Sequence, residues 1–495
     1  MPDSASDIFL GKGTDPVYLR ARYGNRHGLT AGATGTGKTV SLMLVAEGFS
    51  RIGVPVFMAD IKGDVAGLAM AAAPDDAIRR RVERIGLTDY RPEACPVVFW
   101  DVYGTSGHPL RATVSEVGPM LLGRMLDLND TQTGMLEIAF AMADDRGLLL
   151  LDLDDLRAVL TFIADNRKDV SAHYGLVSSA SIAAVQRALL ALDRDGGDRF
   201  FGEPGLDITD LLRTDLTGRG IVGILAADQL VQRPRLYSSV LLWLLSELYE
   251  QLPEAGDSAK PRLVFIFDEA HLLFDGMPAG LLQRTDQVVR LIRSKGVGIY
   301  FCSQFPDDVP DAILGQLGNR IQHALRAHTP RDQKAVRTAA ETFVPNRAID
   351  VASVIGTLEI GEALVSTLQE GAIPMPVERT LMAPPRSRIG TLTAEERAAV
   401  RARSPLGTRY DTPVNRESAY ELLTRKVAGQ QPPAAPSAAP SAPAPESKGA
   451  VHEWLWGTTR RQGMVETLAK QTARTVGSQL GRQILRGVLG GVTRR

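Results

Sequence analysis

Largely apolar runs, several of them ending in or followed by an acidic or polar residue, recur along the chain up to Thr367. They fall at residues 54–60, 97–102, 220–226, 262–267, 297–304 and 361–367. A short run at 27–31 and a cation-flanked one at 316–326 complete the set. Runs without polar alternation are expected of strands buried on both faces, as in a parallel sheet. Between them the apolar period lengthens to that of helices, at 40–50, 76–85, 237–251 and 281–294, with Thr329 or Asp332 opening one more. Strand and helix in alternation predict an α/β fold on a parallel sheet, closing with 361–367.

Two regions break the alternation. Four amphipathic helical segments occupy 114–191 with few turn signals, a pattern that predicts a helical subdomain inserted into the sheet. Its apolar stripes read as its own core, the alternative being a subunit or partner surface. Beyond Pro384 the strand signals stop and two short charged helices follow, at 393–403 and 415–428. The expected division is therefore 1–113 and 192–384 for the two parts of the sheet core, 114–191 for the insertion and 385–428 for a helical extension. Residues 429–449 hold six prolines among alanine and serine and predict an extended, disordered linker. Past it, in 450–495, Leu468, Val476, Leu480, Ile484, Val488 and Val492 interleave with arginines behind Trp454 and Trp456. That is the pattern of a basic amphipathic helix suited to an anionic membrane surface or a partner helix; the alternatives are a solvated tail and a helix docked on its own core.

Charge sharpens this division. The 495 residues sum to −1, but 450–495 carry eight Lys and Arg against two Glu, a net +6 that leaves −7 for 1–449. An acidic body is not coated for nucleic acid, so a DNA contact by the body would need a local patch such as a ring pore. Cys95 and Cys302 lie far apart with no metal-type spacing. With no basic-then-apolar leader and no apolar run of about 18 residues, a reducing cytoplasmic location is expected, peripheral at the membrane if the tail binds there.

The chemistry begins at Gly32-Ala33-Thr34-Gly35-Thr36-Gly37-Lys38-Thr39, which fits the phosphate-binding pattern G-x-x-x-x-G-K-[ST] at every fixed position. A strand before it and a helix after it supply the context in which glycines let backbone N–H groups wrap a phosphate. Lys38 is placed to reach the β and γ oxygens of ATP, and Thr39 to hold Mg²⁺. Far downstream, the run over 262–267 ends in Asp268-Glu269. Asp268 suits the metal shell and Glu269 the activation of water. Gln304, at the tip of the next strand, is the candidate γ-phosphate sensor. Asp60, with Asp64 behind it, ends another strand where ligands collect, although Asp64 reads equally as an acidic turn cap. Asp268-Glu269-Ala270-His271 also spells the box of another helicase superfamily, but a second core with the arginine-rich motif of those enzymes is not evident in the sequence.

The strings AGATGTGKT, ADIKGD, FIFDEAHLLF, IRSKGVGIYFCSQFPDD and LGNRIQHALRAHTPRDQKAV, which span most of residues 8–380, resemble the HerA/FtsK group of P-loop ATPases, in particular its HerA-like bacterial branch. The resemblance implies a RecA-like core, a hexameric ring, ATP hydrolysis completed by a neighbour's arginine and, for some members, DNA pumping. By position it makes Arg293 or Arg320 the arginine acting in trans. HerA translocases place a β-barrel domain before the ATPase; only 31 residues precede Gly32 here, and a chain without that barrel is expected. Two functions are consistent with this: a ring motor acting on DNA, or an ATP-dependent switch or assembly protein anchored through its basic tail.

Overall fold

Twelve strands build one sheet in the computed structural model, which describes residues 7–256, 258–326 and 329–429. In chain order they are β1 (Ile8–Lys12), β2 (Pro16–Leu19), β3 (Gly28–Ala31), β4 (Val56–Asp60), β5 (Val97–Asp101) and β6 (His108–Pro109). Then come β7 (Val222–Ala226), β8 (Leu263–Phe267), β9 (Val297–Ser303), β10 (Asn319–Gln322) and β11 (Glu362–Ser366). A separate two-stranded ladder, β12 (Leu368–Gln369) with β13 (Ile373–Pro374), precedes the last, β14 (Glu378–Met382). The order across the sheet is β2-β1-β14-β11-β10-β3-β9-β8-β4-β7-β5-β6. From β10 to β6 every pairing is parallel, and from β10 outward to β2 every pairing is antiparallel.

The sheet thus does not close at β11: β14 and the hairpin of β1 and β2 add three more strands on that side. Their signal is weak because they are short and mixed. The β14 sequence, ERTLM, opens with two charged residues before its apolar pair, and β1 pairs with β2 across a register shift between Phe9 and Gly11.

The parallel strands are buried on both faces, so successive side chains join different cores. Phe57, Phe265, Phe267 and Phe301 pack into one core with Trp243 of the helix Pro234–Gln251. Met58, Ile266 and Cys302 pack on the other side with Leu42, Val45 and Phe49 of the helix Lys38–Arg51. The region 114–191 forms five helices, Val114–Met125, Asp130–Asp145, Leu153–Asp165, Arg167–Tyr174 and Ser179–Leu192. The helix beyond the expected four, Arg167–Tyr174, buries only Val170 and so carries almost no periodic signal. Leu136, Leu156, Leu160 and Val185 join the core that holds Phe265 and Trp243, so the insertion shares the core of the sheet.

The extension after β14 contains the helices Ala394–Ala402 and Ala419–Gly429 and is pinned by buried polar groups. The Glu47 carboxylate, in the first helix after β3, accepts from the Arg386 and Ser387 N–H groups and the Ser387 hydroxyl. His108 bonds Asp411 through Nδ1 and Ser404 through Nε2, both at 2.9 Å. The described residues up to Ala428 cluster as one compact unit. The expected linker, apart from Gly429, and the expected tail over 450–495 lie outside the described residues. Among the described residues no single helix is long and apolar enough to cross a membrane.

Candidate active site

Register brings the dispersed motifs to one edge. Ala31 pairs with Ser303, Phe301 with Phe267, and Phe267 with Ala59. The residues that follow, Gly32, Gln304, Asp268 and Asp60, therefore emerge together at the carboxyl ends of β3, β9, β8 and β4, where open parallel sheets bind ligands. A single strand, β9, separates the glycine-rich loop from the acid pair.

The loop is held from beneath. The Gly32 N–H donates to the Ser303 carbonyl at 3.3 Å, Ala33 N–H to the Ala324 carbonyl at 2.8 Å, and Gly361 N–H to the Thr36 carbonyl at 3.1 Å. Gly32 has φ +153°, and a Cβ there would lie 2.5 Å from that of His323. Gly37, at φ +113°, turns the chain into the helix beginning at Lys38. The first N–H groups of that helix have no intrahelical acceptor, which makes its start an anion-binding end. Thr34 and Gly35 are exposed, whereas Lys38 is only 8% exposed.

The sequence reading missed His323 and Arg81. His323 Nδ1–H donates to the Glu362 carbonyl and Nε2 accepts from the Ser41 hydroxyl, both at 2.9 Å, so the ring bridges the loop helix and β11. Burial and the neighbouring Lys38 charge lower its pKa to about 4, keeping it neutral. Arg81 donates to the carbonyls of Gly361 and Ile360, stiffening the segment that backs Thr36. The only sequence signal was a polar residue at each place where an apolar one would suit the local pattern.

Around the loop mouth lie four carboxylates. Thr39 Oγ1 donates to Asp64 Oδ2 at 3.2 Å, and Asp64 Oδ1 is buried with no hydrogen-bond partner among the described residues. Asp268 accepts the Glu269 N–H at 2.9 Å. Burial, Glu269 and Asp64 push its pKa up to about 6. Asp60 is pushed to about 7, by burial first and then by Asp64 and Asp268. Its Oδ1 accepts the Gly63 N–H at 2.7 Å, so Asp60 shapes the loop after β4 while Asp64 makes the contact to Thr39. Hard oxygen donors with an orphaned buried oxygen fit Mg²⁺, which binds through one or two carboxylates together with phosphate. Among the described residues there is no cluster of three or more His, Cys, Asp or Glu side chains placed to hold a metal ion.

Glu269 has φ +47°, an uncommon value for a non-glycine residue, and its side chain is 5% exposed. One oxygen pairs with Lys62 Nζ; His271 Nδ1 lies 3.4 Å from the other. Gln304 is half-buried at the tip of β9, with no side-chain hydrogen bond among the described residues. Arg293 and Arg320 are not brought to this site. Arg293 is exposed just before β9, separated from the site by about 20 Å of strand. Arg320, near the start of β10, donates to the Leu314 carbonyl at 3.2 Å, and burial lowers its pKa.

Asp60 makes a pH prediction. A carboxyl whose folded pKa is raised stabilises the fold below its unfolded pKa, and that contribution is lost as pH rises through the folded value near 7. Asparagine can still accept the Gly63 N–H without that charge. Without Mg²⁺ or nucleotide, the stability advantage of Asp60→Asn over the native chain should therefore grow by about 3 kcal/mol from pH 5 to pH 8. Denaturant midpoints at the two pH values measure it; the opposite trends of His27 and His323, both with pKa lowered to about 4, cancel in the difference.

A family model described as Helicase HerA-like C-terminal matches residues 7–495. Among solved structures, the bacterial conjugative coupling protein TrwBdeltaN70, in its unbound monoclinic form, is similar with a TM-score of 0.53 and 14% identity, over 79% of this chain and 92% of that one. The plasmid coupling protein TrwB in complex with the non-hydrolysable GTP analogue GDPNP gives 0.50 and 15%, over 76% and 91%. VirB4 of Thermoanaerobacter pseudethanolicus gives 0.47 and 15%, over 80% and 99%. The two coupling-protein structures show a shared fold, a large and mostly parallel α/β sheet. No curated protein matches the chain.

Proposed function

The chain belongs to the HerA-like C-terminal helicase family, and from that premise we propose that it is a Mg²⁺-dependent ATP hydrolase that assembles as a homo-oligomeric ring, a hexamer by resemblance, and moves DNA. The observation that carries the chemistry is the meeting of Lys38, Thr39, Asp64, Asp268 and Glu269 on one sheet edge, from segments more than 200 residues apart. Support for a nucleotide also comes from TrwB, a protein of the same fold that binds GDPNP. Thr39, Asp64 and Asp268 would hold Mg²⁺, which when bound neutralises charge on the phosphates.

Lys38 and the loop N–H groups bind the β and γ oxygens. Glu269 orients and polarises the attacking water, with Gln304 beside it as the group that senses the γ-phosphate. An arginine from a neighbouring copy stabilises the charge that develops on the transferred group. In the cytoplasm, residues 450–495 would bring the ring to a membrane surface or a protein partner.

If the ring grips DNA, hydrolysis should be stimulated by duplex DNA, and the stimulation should fall steeply between about 50 and 200 mM salt, because phosphate contacts release counterions. The net −7 of residues 1–449 favours a second reading, an ATP-dependent switch without translocation. That reading is selected if DNA leaves turnover unchanged while liposome binding disappears on removing 450–495.

A further inference from the structure

Glu269, the proposed water-activating acid, does not stand free. Lys62, in the loop after β4, closes an ion pair on Glu269 from 207 residues away. The partners differ in freedom: the Glu269 side chain is 5% exposed and the Lys62 side chain 50%. The carboxylate is thus fixed by burial and by its backbone, while the lysine carries its charge on a flexible four-carbon stem. The second Glu269 oxygen is buried with no hydrogen bond among the described residues.

The surroundings say where the lysine can go. Asp64, Asp268 and Glu269 all act on the Lys62 ammonium, and Asp64 accepts from Thr39 at the start of the loop helix. Lys62 therefore stands one side chain away from the phosphate-binding loop. An ammonium bonded to a carboxylate occupies an oxygen that the attacking water needs. A γ-phosphoryl group arriving beside Lys38 would present charged oxygens that compete for the same ammonium.

We propose that Lys62 is a γ-phosphate ligand held on Glu269 until a triphosphate takes it over. The hand-over frees Glu269 for water only when a γ-phosphate is present, so the site would distinguish triphosphate from diphosphate through Lys62. The inference rests on the nucleotide reading of the site. A lysine that merely neutralised the buried acids would serve both nucleotides alike.

The test is equilibrium binding of a non-hydrolysable ATP analogue and of ADP to the full chain with Mg²⁺. Lys62→Met should weaken the triphosphate analogue by at least about 10-fold and ADP by less than about 2-fold, and Lys62→Arg should restore most of the loss. Equal loss of both nucleotides overturns the proposal. A second measurement needs no variant: amine-directed labelling of the native chain, read by peptide mass. The triphosphate analogue should protect Lys62 several-fold more than ADP does, and equal labelling overturns the proposal even if Lys62→Met fails to fold. If the native chain binds neither nucleotide, the nucleotide reading itself fails and this inference falls with it; binding without discrimination at Lys62 removes the hand-over alone.

Discussion

Glu269→Gln should bind ATP and hydrolyse it at least about 100-fold more slowly than the native chain, the loss expected when a positioned base is removed. The substitution keeps the shape of the side chain and removes the charge that orients and polarises water. Glutamine still fits the buried position, and the neighbouring Asp268, whose Oδ1 accepts the residue 269 N–H, keeps its place. Lys38→Ala is the contrasting variant, because it removes the cation that meets the phosphates and should lose nucleotide binding along with turnover. Phosphate release under single-turnover conditions, with nucleotide affinity measured in parallel, separates the two effects. Unchanged turnover in Glu269→Gln would sink the assignment of the water-activating group, while unchanged binding in Lys38→Ala would sink the site.

The parts of this site that were legible in the sequence are those set by local chemistry. Strands buried on both faces must be apolar throughout, so β4, β8 and β9 announced themselves, and their carboxyl ends named Asp60, Asp268 and Gln304. The glycine-rich loop was legible because wrapping a phosphate fixes residue types at fixed spacing. What stayed hidden depends on chain segments that meet only after folding. Lys62 lies inside a string that drew notice for its acids, and nothing local says that its partner is Glu269. His323 finds Ser41 across 282 residues, and Arg81 finds Gly361 across 280. Asp64 could not be separated from a turn cap until its contact with Thr39 appeared. The strands β1, β2 and β14 were missed for another reason: each is only four or five residues long, too short for a periodic signal.

The arginine that completes the site should come from another copy of the chain, and mixing inactive variants tests this directly. Arg293→Ala alone is expected to lose about 10³-fold or more in turnover, the range by which such an arginine accelerates phosphoryl transfer. It lies too far from the site of its own chain to act there, yet it is exposed, and no hydrogen bond holds its guanidinium among the described residues. Arg320 is half-buried and tied to the Leu314 carbonyl, so reaching a neighbour would require that contact to break. In a mixture, an Arg293→Ala subunit still has an intact loop and acid pair, and a Lys38→Ala subunit still has its arginine. Where the two meet in the right order a working site forms. Equal amounts of each should therefore recover activity at about a quarter of the interfaces of a closed ring. Mixtures that stay silent, with both variants folded and assembled, would rule out action across the interface by Arg293. Recovery with Arg320→Ala in its place, together with normal turnover of Arg293→Ala alone, would move the role to Arg320 and require β10 to shift when the ring closes.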